Sequence, residues 1–281
     1  MAEREIEFRN FSPPKNCETR LVEVAGICTR IMSDSPEIIS YIGKQYRDFR
    51  SKQKPHFCVE VAVSNGIGSR ENTTIFTNAK GKKLFIECGF IRGMIDAGNS
   101  AGKVWVHKGQ EDNVDVFLRN CFSFFLAERG GMLVHAAALA KGNRAFLFPG
   151  RSGAGKTTIS MANRRSLLVL NDEICAIRKV NKTLRVFGTP FWGGRGALAG
   201  NRGSNKGIKM DSVLFLKKGR GNSKSELPKA EALHMLMGCA IHMNKSRGKT
   251  VAVFNLCSEI AMQSRCYELC LEKGAKLGGI L

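Results

Sequence analysis

The run Gly150-Arg151-Ser152-Gly153-Ala154-Gly155-Lys156-Thr157 constrains this chain more than any other segment. It fills every fixed position of a phosphate-binding P-loop, in which a first glycine precedes a Gly-Lys-hydroxyl run. Arg144 to Phe148 reads as a buried strand leading in, and Lys156 to Arg165 as a helix leading out. Glycines let the backbone curl so that successive N–H groups point inward at phosphate oxygens. The N-terminus of the following helix adds a partial positive charge. In such a loop Lys156 reaches the terminal phosphates and Thr157 holds magnesium. The bland alternative is a glycine-rich turn that matches by accident, and the strand–loop–helix context weighs against it.

Hydrophobic residues make up 43% of the 281, enough to build one large domain or two smaller ones. No apolar run approaches the length of a bilayer span, so no membrane association is expected. The Met-Ala-Glu-Arg-Glu start is charged rather than apolar, so a cytoplasmic location is expected rather than secretion. The ten cysteines, from Cys17 to Cys270, form no C-x-x-C pair. Reduced thiols packed as small hydrophobes are therefore expected.

The net charge of +20 attracts polyanions without choosing among them. The densest basic stretch, 195–224, includes Arg195, Arg202, Lys206, Lys217, Lys218 and Arg220, with Asp211 as its only aspartate or glutamate. Its only aromatic, Phe215, falls in an apolar strand. Base stacking on nucleic acid is thus not signalled, which leaves a solvated face or a docking face for anions or an acidic peptide.

Two regions are expected: an N-terminal mixed α/β region over 1–113, a candidate for substrate recognition, and a P-loop domain over 114–281. In the first, Glu37 to Phe49 reads as a helix. Short strands at Phe57–Val63, Thr73–Thr77, Lys83–Glu87 and Val104–His107 suggest an antiparallel sheet with hairpin turns. Val114 to Glu128 reads as a helix that opens the second region. Next come a strand from Met132 to Ala140, a turn at Lys141-Gly142-Asn143, and the strand feeding the loop. Pairing Ala140 with Arg144 puts His135 opposite Pro149, at the mouth of the phosphate loop.

Beyond the loop helix, Leu167 to Leu170 reads as a strand ending in Asn171-Asp172-Glu173. A strand–helix–strand unit predicts a right-handed crossover with this strand parallel and adjacent to the P-loop strand. Its acids would then lie at the carboxyl edge where open α/β sheets bind ligands. There one acid can hold magnesium and the other can accept a proton from an attacking hydroxyl. Further strands at Leu184–Phe187, Val213–Leu216 and Cys266–Leu271 are expected, with helices at Pro228–Met243 and Thr250–Gln263.

Leu133 to Trp192, with His135, the Gly150–Thr157 loop, Asp172-Glu173 and the Gly188-Thr189-Pro190-Phe191-Trp192 loop, resembles the C-terminal domain of HPr kinase/phosphorylase. The resemblance extends to the shorter HPr-kinase-like proteins, some of which phosphorylate a serine of a precursor peptide in lasso-peptide pathways. It implies an α/β fold with a P-loop on a mixed sheet flanked by helices, related to phosphoenolpyruvate carboxykinase. It also implies a kinase that uses ATP and Mg2+. Gly150, Arg151, Ser152, Gly153, Ala154, Gly155, Lys156, Thr157 and Thr158 would cradle the nucleotide. Lys156 would neutralise the transferred phosphate, and Thr157 and Glu173 would hold the metal. Asp172 would activate the substrate serine, with His135 beside the reacting phosphate. Relatives of this kind often assemble into rings, so a homo-oligomer is implied. This chain has Asp-Glu where the family has Asp-Asp, and it lacks the segment that supports the reverse, dephosphorylating reaction. A P-loop NTPase switch without an acceptor, and a basic nucleic-acid-binding protein, are the competing readings.

Overall fold

The computed structural model describes residues 17–67, 70–77, 82–192, 205–219, 221–241, 247–272, 274 and 276–280. They divide into two compact units, one within Met1–Glu23 and Ile27–Cys121, the other within Val24–Gly26, Phe122–Met243 and Arg247–Leu281. No described helix is long and apolar enough to cross a membrane.

The first unit carries a mixed seven-stranded sheet in the order β1-β2-β3-β7-β6-β5-β4. The strands are β1 (Glu18–Val24), β2 (Ile27–Ser33), β3 (Phe57–Ser64), β4 (Arg70–Thr77), β5 (Lys83–Gly89), β6 (Ile91–Asp96) and β7 (Ala101–His107). Strands β4 to β7 form the expected antiparallel meander, but β2–β3 and β3–β7 are parallel. Parallel neighbours need a long connection, and the chain supplies two. Helix α1 (Pro36–Gln45) lies between β2 and β3, and strands β4, β5 and β6 lie between β3 and β7.

Helix α1 starts at Ser35, whose hydroxyl accepts the Ile38 N–H, with Pro36 in its first turn. It ends at Gln45, short of the expected Phe49, and a 3-10 turn covers Arg47–Phe49. There the buried Tyr46 turns its hydroxyl to Asp115, at 2.6 Å. Strand β6 is hard to see in the sequence because Gly93 interrupts it. The Phe117 ring packs where a Gly93 side chain would stand.

The second unit is built on β8 (Gly131–Lys141), whose alternate residues enter two different cores. Met132, Val134, Ala136 and Ala138 pack with Leu236 of α4 (Lys229–Cys239) and with Val253 and Ile260 of α5 (Arg247–Gln263). Ala137 and Leu139 pack on the opposite face with Ile159 of α3 (Lys156–Asn163). Helix α2 (Val114–Ala127) leads into β8. Along one edge of β8 lies β9 (Arg144–Pro149), followed by the two-residue β15 (Ala240–Ile241). Along the other edge lie β10 (Leu168–Asn171) and β11 (Ile174–Val180), which continues to β12 (Thr183–Phe187). Strand β13 (Ile208–Lys217) runs parallel to β9 and to β16 (Arg265–Cys270), and β14 (Ser223–Glu226) pairs antiparallel with β16. The fold is therefore mixed α/β, with two mixed sheets flanked by helices.

Two expectations fail here. The β8–β9 hairpin closes on Gly142-Asn143 alone, pairing Lys141 with Arg144, so Ala136 rather than His135 faces Pro149. A two-residue turn suits the twist of the strands, and Gly142 supplies the positive φ it needs, +59°. Nor is β10 adjacent to β9. Strand β8 lies between them, and β10 pairs antiparallel with it, Leu168 opposite Ala140. The alanine-rich β8 is buried on both faces and paired on both edges, which gives it the central place that simple crossover reasoning assigns to β9.

Seven of the cysteines, including Cys121, Cys175 and Cys257, are buried thiols, and no described cysteine is in a disulfide. Burial pushes the Cys257 thiol up to about 12, so it stays protonated and packs as a small hydrophobe.

Candidate functional site

The Gly150–Thr157 loop leaves the carboxyl end of β9, and the Gly150 N–H donates to the His135 carbonyl at 3.1 Å. Gly153 and Gly155 take φ of +79° and +100°, where a side chain would be strained, and Gly155 caps α3. A Cβ on Gly150 would stand 2.7 Å from that of Ala154. Arg151, Ser152, Gly153 and Thr158 are exposed, Ala154, Gly155 and Thr157 half-buried. Lys156 is buried, and its Nζ donates to the carbonyls of Gly150 at 2.8 Å and Arg151 at 3.1 Å. Burial pushes the Lys156 ammonium below its ordinary value, while nearby Glu173 and Asp172 oppose that shift.

Asn171 ends β10, and Asp172 and Glu173 sit between it and β11. Both strands follow the same edge of β8, with one irregularity between Val169 and Asn171. The acids therefore stand midway along a ladder rather than at the free end of a strand beside β9. They still reach the loop, because His135 is beside Gly150 on β8 and its Nε2 meets Glu173 Oε1 at 2.6 Å. The exposures of the two side chains, 25% for His135 and 35% for Glu173, leave that pair open to solvent. Asp172 is only 4% exposed. Its carboxyl is pushed up by burial and by Glu173, against the lowering effects of the Thr157 hydroxyl and Lys156. Its buried Oδ1 has no hydrogen-bond partner among the described residues.

Asn171 and Thr189 escape sequence reasoning. Buried Asn171 donates from Nδ2 to the carbonyls of Thr189 (2.9 Å) and Phe191 (3.3 Å), and its Oδ1 accepts the N–H groups of Glu173 (2.7 Å) and Ile174 (2.9 Å). The Thr189 hydroxyl donates to the Ile174 carbonyl at 2.6 Å. The loop after β12 is thereby clamped to the acidic turn. An asparagine before two acids reads in sequence only as a turn former.

Among the described residues, no three His, Cys, Asp or Glu side chains gather into a cage for a metal. Magnesium does not need one, since it is commonly held by one or two protein oxygens together with substrate phosphates and water. The Thr157 hydroxyl beside an Asp172 carboxylate with an unsatisfied buried oxygen fits that requirement. Arg195, Arg202 and Arg220 lie outside the described residues, whereas Lys217 and Lys218 are exposed. No protein-family model matches the chain, and no curated protein matches it.

Proposed function

We propose that the chain is an HPr-kinase-like phosphotransferase that uses Mg2+ and ATP to phosphorylate a serine hydroxyl on a peptide or protein. The observation that carries this reading is the convergence of buried Lys156, buried Asp172 and the His135–Glu173 pair on one glycine loop. Phosphoryl transfer asks the protein mainly for positioning and for charge stabilisation. Lys156 and the loop N–H groups stabilise negative charge on the transferred group. Thr157 and Asp172 would hold Mg2+, which when bound neutralises phosphate charge.

Sequence reasoning gives the base to Asp172 and a metal contact to Glu173. The side-chain environments favour exchanging them: Asp172 is buried, while Glu173 and His135 face solvent, where an acceptor would approach. As the serine oxygen bonds to phosphorus and the donor's bridging P–O bond breaks, the serine proton passes to the Glu173–His135 pair. An acidic peptide suits the net charge of +20. A homo-oligomeric assembly and a cytoplasmic setting belong to the same proposal.

The test is transfer of label from γ-labelled ATP to serine-containing acidic peptides by the native chain, Asp172→Asn and Glu173→Gln. Native transfer lost in both variants, with Mg2+-dependent nucleotide binding lost only in Asp172→Asn, supports the proposal. Free phosphate released by the native chain with no peptide labelled supports the NTPase reading instead.

A further inference from the structure

One rung of the second unit's sheet is built from cations. Lys141 of β8 pairs with Arg144 of β9, Arg144 with Lys209 of β13, and Lys209 with Arg185 of β12. Paired residues share a face of a sheet, and their chain neighbours take the other. Those neighbours, Ala140, Ala145, Ile208 and Val186, belong to the core that holds α4 and α5. The four cations therefore stand on the opposite face, with Lys141, Arg144 and Lys209 exposed and Arg185 half-buried.

Among the described residues, Asp211 is the acid that meets this rung. It accepts from Arg144 Nε at 2.8 Å and is shared with Arg265 at 3.2 Å. Lys141 and Lys209 make no hydrogen bond or ion pair among the described residues. Like charges at directly opposed positions destabilise a sheet. Three successive pairs of that kind oppose folding, and a role in binding accounts for their presence.

The rung lies at the amino end of β9, so the length of that strand, about 17 Å at 3.3 Å per residue, separates it from the glycine loop. It is therefore distinct from the phosphate site. Four neighbouring strands about 4.8 Å apart give it a length of about 14 Å. An extended peptide with acids at three alternate positions presents carboxylates over about 13 Å of one face. Each carboxylate can then meet an exposed ammonium or guanidinium group. Single-stranded nucleic acid fits less well, because the ring beneath Arg144, Phe146, is buried and offers a base nothing to stack on.

We propose that this rung docks an acidic segment of the acceptor that lies at least about five residues from the serine to be phosphorylated. The proposal rests on the serine-kinase reading and adds a second recognition point, remote from the reacting hydroxyl. The minimum spacing follows from the reach of an extended chain, at most about 3.3–3.6 Å per residue, set against the roughly 17 Å between rung and loop.

The test follows the anisotropy of a labelled peptide with three alternate glutamates and no serine, at low salt and without nucleotide. The native chain is compared with Lys141→Glu/Lys209→Glu and with Lys52→Glu/Lys54→Glu, which makes the same change of charge at two exposed lysines of the first unit. The rung variant should bind at least about tenfold more weakly, and the control within about twofold of native. The rung variant should also melt no lower than native, because each new glutamate faces an opposed arginine. A second measurement uses γ-labelled ATP and two serine peptides, with the glutamates beside the serine or about ten residues away. The distant arrangement should have the lower KM, by about fivefold, and the rung variant should erase that difference without changing kcat. Equal weakening in the two double variants, native-like binding by the rung variant, or rung-dependent binding of a single-stranded oligonucleotide tighter than of the peptide overturns the proposal. So does an equal KM for the two serine peptides. Rung-dependent peptide binding with neither serine peptide phosphorylated overturns the kinase reading and leaves the acidic-peptide docking site standing.

Discussion

Replacing Asn171 by alanine removes the clamp between the acidic turn and the loop after β12. In the native chain Asn171 is fully buried and its amide is satisfied at both ends. The alanine variant leaves the Glu173 and Ile174 N–H groups without that acceptor, and the Thr189 and Phe191 carbonyls without that donor. Each buried group left unpaired costs about 1–3 kcal/mol, and partial rearrangement or water entry brings the total to about 3 kcal/mol. A unit of this size loses about 2–4 °C of melting temperature per kcal/mol, so a fall of about 6–12 °C is expected. Thr189→Val removes one strong donor, the 2.6 Å bond to Ile174, and should cost about 1 kcal/mol. Asn171→Asp keeps the acceptor but sets a carboxylate against carbonyl oxygens, so at neutral pH it should be worse than alanine. Acid should partly rescue it, because the protonated carboxyl can donate again. Differential scanning calorimetry of the three variants at two pH values checks the order. A fall of less than about 2 °C for Asn171→Ala, or an aspartate variant more stable than the alanine one at neutral pH, would refute the reasoning.

Three further outcomes follow from the site. Gly150→Ala should weaken nucleotide binding by about tenfold or more in a fluorescence titration, because its methyl group would stand 2.7 Å from the Ala154 Cβ and push the loop apart. Thr157→Val should remove the Mg2+ dependence of ATP binding while leaving binding without metal nearly unchanged, and unchanged Mg2+ dependence would remove Thr157 from the metal site. Asp172 has a folded-state pKa above its unfolded one, so its ionisation destabilises the fold. Its contribution is most favourable below the ordinary carboxylate value, about 4, and declines as pH rises through the native value. Without nucleotide or metal, Asp172→Asn should therefore melt above the native chain at neutral pH and near it in acid; equal melting temperatures at neutral pH would contradict the burial argument.

The glycine loop was legible because its chemistry is local: Gly153 and Gly155 take backbone angles that few other residues adopt readily, and Lys156 opens a helix of the expected kind. The acids were legible as candidates, but their placement was not. Helix-and-strand spacing cannot tell whether a returning strand lands beside β9 or beyond β8, since that depends on which strand is buried on both faces. The His135 register failed by one residue because the turn closes on two residues rather than three. His135 still meets the loop because its backbone carbonyl, not a cross-strand side-chain pair, holds Gly150. In the first unit, strand signals marked β3, β4, β5 and β7, but β6 was missed and β3 proved parallel to both of its neighbours. The parallel pairs joining β2, β3 and β7 are non-local, and no short stretch of sequence marks them.

The central claim, that the Lys156, Asp172 and Glu173 site moves a phosphoryl group onto a serine, is tested most directly by 31P NMR. The native chain is followed with Mg2+, ATP and a serine-containing acidic peptide. The account predicts a phosphoserine resonance that grows in step with ADP and is absent in both Asp172→Asn and Glu173→Gln. ADP appearing with inorganic phosphate alone, or phosphoserine forming undiminished in the two variants, would contradict it.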